Sequence, residues 1–101
     1  MTDPARVVVY ATAPPEDPEA VERAYHDISR MLADTPGLVR NELLRSVADP
    51  RDFAVISEWE DLAAFRTWAQ GATHRNTTAP LRPYQRARPE TFGVYEVIAS
   101  Y

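Results

Sequence analysis

The stretch EWEDLAAFRTWAQGATHR, residues 58–75, gathers both tryptophans of the chain, one of its three phenylalanines and one of its two histidines. Trp59, Phe65 and Trp68 are large apolar rings, and Phe65 and Trp68, three positions apart, share one face of a helix. Rings so placed either close-pack as a core or wall a slot that accepts a flat ligand. We expect a slot, with Phe65 mostly packed and Trp68 nearest the mouth beside His74. Downstream, Arg75, Arg82, Arg86 and Arg88 occur in a run without an acid. They either pair with acids at the surface or form a cap that holds a phenolate or carboxylate, for which the guanidinium fork is suited. Tyr84 in the same run can stack or donate a hydrogen bond. Asn41 sits in an expected strand and offers a carboxamide, either to solvent or to a cavity.

Composition removes other chemistries. The chain has 101 residues, a formal net charge of –4 and no cysteine. Disulfides, thiolate nucleophiles and sulfur-ligated metals are thereby excluded. Its eleven basic residues are all arginine, so neither a lysine Schiff base nor a P-loop can form. An acidic balance argues against nucleic acid as partner, since phosphate binding needs a basic face. His26 and His74 lie far apart without HxxH or HxxE spacing, so no metal site is expected. His26 falls off the apolar stripe of its helix and receives no role. With three glycines and no GxGxxG there is no dinucleotide loop, and no serine or threonine has a base at triad spacing. No apolar run nears the ~20 residues of a membrane span. MTDPAR reads as no secretory signal, so a cytoplasmic protein with no membrane partner is expected. The length fits a single domain over residues 1–101.

The elements that must position these groups follow from periodicity. Residues 6–13, RVVVYATA, form a buried strand. In the next segment Asp17 is suited to cap a helix with Pro18 at its first position. Val21, Ala24, Tyr25, Ile28, Met31 and Leu32 make its apolar stripe, and Pro36 and Gly37 end it. Residues 38–47 alternate loosely as a second strand and 53–59 as a third, with Phe53, Val55, Ser57 and Trp59 on one face. Asp61 caps a second helix that Gly71 closes. Residues 74–90 hold three prolines and no periodicity, and 91–100 form the last strand. The order βαββαβ is the ferredoxin-like α+β arrangement, a four-stranded antiparallel sheet with both helices on one face. Val7, Val8 and Val9 in succession make the first strand apolar on both sides. The uncovered face is expected to pack on a second copy of the chain, giving a homodimer.

With PG at 36–37, DPRDF at 49–53 and the aromatic run at 58–75, nearly the whole chain, 5–100, resembles the antibiotic biosynthesis monooxygenase (ABM) domain, a dimeric α+β barrel. The resemblance implies a small cofactor-independent monooxygenase of secondary metabolism that oxidises an aromatic polyketide-like phenol with dioxygen. Trp59, His74 and Arg86 are then the catalytic candidates, and Phe65, Trp68, Tyr84, Asn41 and Tyr10 the substrate-binding ones. Quinone-forming relatives tend to carry an asparagine four residues before the tryptophan that ends strand three. Here that place is Val55. A second branch of the family degrades heme, with a tryptophan in the FxxW setting, an axial histidine nine or ten residues later and an asparagine on strand one. Trp68 matches, but His74 lies six residues on, and Tyr10 stands on strand one. The resemblance thus keeps open heme binding through His74. A third reading is a non-catalytic dimeric small-molecule binding or accessory protein, as the missing asparagines allow.

Overall fold

In the computed structural model, residues 3–71, 79–85 and 92–101 are described. The elements run β1 (Ala5–Thr12), α1 (Ala20–Leu32), β2 (Leu38–Arg45), β3 (Asp52–Trp59), α2 (Leu62–Ala69), a short 3₁₀ helix (Ala79–Tyr84) and β4 (Phe92–Glu96). The strands form one antiparallel sheet in the order β2-β3-β1-β4. This is the ferredoxin-like order, in which each helix crosses over one strand to reach the next but one.

Side chains alternate across a strand, so residues paired between neighbours share a face. Ala5 pairs with Trp59, Val7 with Ser57, Val9 with Val55 and Ala11 with Phe53. These point to the helices, where Phe53 and Ala11 are buried with Val21, Ala24, Ile28 and Leu32 of α1, and Trp59 is buried with Ala5 and Val7 beside α2. Val8 pairs with Ile56, Tyr10 with Ala54 and Arg6 with Glu58 on the opposite face. There Tyr95 and Leu44 keep 52% and 43% of their surface exposed, which leaves apolar area on the side away from the helices.

One irregularity decides which side chains of β2 face inward. Leu38 pairs with Trp59 but Arg40 pairs with Glu58, so Val39 is an extra residue in the strand. Such a bulge flips every later side chain to the other face. Continued without it, the register would place Arg40 and Glu42 inward. With it, Asn41 lies opposite Ser57 and Leu43 opposite Val55, on the helix side.

The helices differ in attachment. α1 buries five residues through Leu32, but Met31, expected on the stripe, is 48% exposed. Its start also differs: Glu19 holds the cap position, and the Asp17 carboxylate instead binds the Arg23 guanidinium, which raises the arginine's pKa. The Asp17 carbonyl closes the turn before the helix by accepting from Ala20 N at 3.1 Å. The short α2 buries no residue fully. The Asp61 carboxylate caps it by accepting from Ala64 N at 2.8 Å. Gly37 takes a φ of +82°, and any side chain there would collide with Ala64 Cβ, so this glycine sets how closely α2 approaches the start of β2. Its carbonyl accepts from Glu60 N at 2.8 Å.

Two boundaries depart from the sequence reading. The last strand is confined to Phe92–Glu96, and the proline-containing connection holds a 3₁₀ helix that buries Leu81 in the main core. Pro83 lies inside this helix and donates no backbone hydrogen bond there, while Gln85 N donates to the Arg82 carbonyl at 3.3 Å at its end. No helix of the described residues is long and apolar enough to cross a membrane.

Candidate functional site

The three rings of the 58–75 run converge where β3 hands over to α2. Trp59 is 1% exposed, and its ring centroid lies 5.6 Å from that of Phe65 and 5.3 Å from that of Trp68. Phe65 and Trp68 stand 6.1 Å apart, as the helical spacing requires. The Trp59–Phe65 pair meets edge to face, the arrangement that the ring quadrupoles favour. These rings both pack and leave a space. All three line a cavity of about 690 Å³ between the sheet and the helices. That volume falls within the usual range for small-molecule sites.

The walls have distinct chemistry. Phe65, Trp68 and Ala69 of α2 and Ile28 and Leu32 of α1 form an apolar side, and Val7, Val9 and Val55 an apolar floor. Polar groups come from a few places. On the floor, Trp59 Nε1 donates to Ser57 Oγ at 2.9 Å, which satisfies a buried donor and pins the indole. Beside Ser57, Asn41 Nδ2 approaches Ser29 Oγ of α1 at 3.4 Å, and the Tyr25 hydroxyl donates to the Asn41 carbonyl at 3.1 Å. Among the described residues, Asn41 Oδ1 is closed off from solvent and has no hydrogen-bond partner. A buried acceptor left so costs roughly 1–3 kcal/mol. From the 3₁₀ helix and the residue after it, Arg82 and Gln85 complete the wall. Gln85 is placed by a bridge to Ala11 of β1.

The expected site residues divide accordingly. Trp59, Phe65, Trp68 and Asn41 are brought to one cavity. Tyr10 is not: its pairing with Ala54 puts it on the opposite sheet face, a placement fixed by the two-residue period of β1. Tyr84 also stands apart, packed against the main core and lining a separate surface groove with Pro14 and Arg51. His74 and Arg86, with Arg75 and Arg88, lie outside the described residues. Of the four arginines in that run, Arg82 is the one seen at the cavity. Ser57, Tyr25, Ser29 and Gln85 were not assigned to a site. For Ser57 the signal existed, since it is the polar member of the apolar face Phe53, Val55, Trp59. Ser29 and Gln85 had none. Among the described residues no group of three or more histidine, aspartate or glutamate side chains is arranged to hold a metal.

Comparison with known proteins agrees with this architecture. A family model described as antibiotic biosynthesis monooxygenase matches residues 4–79, and the chain belongs to that family. Protein SchA of Streptomyces halstedii is 35% identical over 63 residues, which is 62% of this chain and 17% of SchA. The 42.8 kDa protein of the whiE locus of Streptomyces coelicolor is 36% identical over 58 residues, 57% of this chain and 15% of that protein. The chain therefore spans less than a fifth of either relative's length. Among solved structures, SnoaB of Streptomyces nogalater, described as a cofactor-independent oxygenase, superposes with a TM-score of 0.77. It covers 99% of this chain and 97% of its own at 20% identity, a likeness of fold. The heme reading takes no support from a neighbour so described.

Proposed function

We propose that this chain is a cofactor-independent monooxygenase that oxidises a phenolic polycyclic aromatic of polyketide type with dioxygen. The observation that carries this reading is the cavity itself: three aromatic rings at a volume suited to a fused-ring ligand, with polar atoms confined to a few positions. Family membership and the fold of SnoaB support it.

The substrate supplies the electrons in such a reaction. Loss of a proton gives a phenolate-stabilised carbanion, which passes one electron to dioxygen; the two radicals then combine into a carbon–oxygen bond. The resulting hydroperoxide sheds water, so a ring methylene becomes a carbonyl. One oxygen atom stays and the other leaves as water with both hydrogens. The protein has to favour the anion, hold the ring and exclude solvent. Trp59, Phe65 and Trp68 hold the ring, and Arg82 brings a guanidinium to the wall that favours an anionic oxygen. His74 is our proposed base and Arg86 a further charge-stabilising group. Val55 lines the floor where quinone-forming relatives carry an amide, and this favours, as second reading, a binding or accessory protein with the same ligand class.

The test is oxygen consumption and quinone formation from a dihydroxyanthrone under air, without added metal, flavin or heme. Turnover that falls at least tenfold in Trp59→Phe or His74→Ala supports the enzyme. Tight binding without turnover by the wild type selects the accessory reading. Neither binding nor turnover removes both. We further propose a homodimer through the sheet face that carries Val8, Ile56, Leu44 and Tyr95.

A further inference from the structure

Resting on the reading of the cavity as an aromatic-ligand site, we propose that Asn41 determines specificity by reading a hydroxyl on the substrate's ring, accepting its hydrogen bond at Oδ1. Three independent features converge on this residue. The bulge at Val39 turns Asn41 from the outer face to the cavity face, although asparagine is poorly suited to an apolar wall. Its backbone is tied down by the Tyr25 hydroxyl and its Nδ2 is oriented by Ser29, both from α1. That leaves the amide oxygen as an acceptor with nothing to accept, on a residue that lines the cavity; since this oxygen has no open surface of its own, the amide, held only by the 3.4 Å contact to Ser29, turns toward the ligand to accept. An unpaired buried acceptor is stabilised by a ligand that brings a donor and is indifferent to one that does not. Ser57, across the strand pair, does not supply that donor: its oxygen accepts from Trp59 Nε1 and makes no hydrogen bond to the amide oxygen.

The complementary group is an aromatic O–H on an otherwise apolar ring. Arg82, a donor, suits an oxygen that carries negative charge instead, so the two groups favour different oxygens of one ligand.

Binding is measured by quenching of tryptophan fluorescence with three ligands of the same ring system: anthraflavic acid held neutral by pH, its dimethyl ether, and unsubstituted anthraquinone. The wild type is expected to bind anthraflavic acid about tenfold more tightly than either of the others, the effect of one hydrogen bond to an unpaired group. Asn41→Leu, of similar volume, is expected to bring all three to equal affinity while leaving anthraquinone unchanged. A wild type that binds the acid and the ether equally overturns the inference and leaves the proposed function standing. So does a leucine variant that keeps the tenfold preference. Should the variant not fold, the wild-type ratio decides alone. Failure of the wild type to bind any of the three overturns the reading of the cavity, and the inference with it.

Discussion

Trp59 and Trp68 are neighbours of the same kind, yet truncating them should have unequal consequences. Trp59 is 1% exposed even though it lines the cavity, and it is hydrogen-bonded through its indole nitrogen. Its replacement by alanine falls in the ~3–5 kcal/mol range of a filled aromatic core position. Trp68 packs against Trp59 and Phe65 on one side and borders the existing cavity on the other. Dispersion contacts are lost only on the packed side, and the space vacated merges with a cavity already present. About half the cost follows, roughly 1.5–2.5 kcal/mol. In a domain of this size 1 kcal/mol moves Tm by about 4–8 °C, so the two variants should differ by about 6 °C or more. Urea unfolding followed by circular dichroism gives the free energies, with an unchanged m value showing that the same transition is compared. Ligand quenching should meanwhile weaken at least tenfold in Trp68→Ala. If Trp68→Ala is as destabilising as Trp59→Ala, the ring is core and the slot is not a binding site.

Gly37→Ala combines a left-handed backbone with a collision against Ala64, and should cost about 2–4 kcal/mol in urea unfolding. Asp61→Ala removes the cap of α2 and should lower stability by about 1 kcal/mol, with faster amide exchange in that helix as the local sign. Asn41→Leu should be neutral or raise Tm, because it deletes an unpaired buried acceptor from an apolar wall. Light scattering at micromolar concentration should return twice the chain mass for the wild type and a monomer for Ile56→Arg, whose side chain sits mid-sheet on the outer face. A wild-type monomer refutes the proposed dimer.

Much of the fold was legible because its elements obey one period each. α1 shows its stripe at helical spacing, and β3 alternates cleanly with Phe53 and Trp59 buried at its two ends. The Asp61 cap and the left-handed turn at Gly37 are local chemistry, although the contact of Gly37 with Ala64 is not. The parts of the site that were not legible depend on register and long-range packing. Nothing in LVRN marks Val39 as a bulge, since no glycine or proline stands there, and without the bulge the facing of Asn41 is undetermined. Tyr10 illustrates the converse. In a strand apolar on both faces, alternation alone does not reveal which side meets the helices, and the pairing with Ala54 sent this residue outward. Arg82 and Gln85 come from a proline-containing segment whose placement follows from Leu81 entering the core, a tertiary event with no periodic trace.

The bulge has a consequence for how ligand preference can change over time. Because Asn41 and Ser57 sit on sheet strands while Phe65, Trp68 and Ala69 sit on the helix opposite, the proposed site reads oxygen pattern and ring width with separate pieces of backbone. A substitution at 41 or 57 alters which hydroxylation pattern is accepted without moving the helix. One at 65, 68 or 69 alters the space for the ring without touching the strand register. Residues with no shared partner change affinity nearly additively, so variants at 41 can be selected separately from those on the helix and then combined, whereas Ser57 is coupled to Phe65 and Trp68 through Trp59. Loss of the bulge by a one-residue slip of β2 against β3 has the opposite character. With Val39 paired in line, Arg40 and Glu42 replace Asn41 and Leu43 on the cavity wall, converting a mostly neutral site to a charged one in one step.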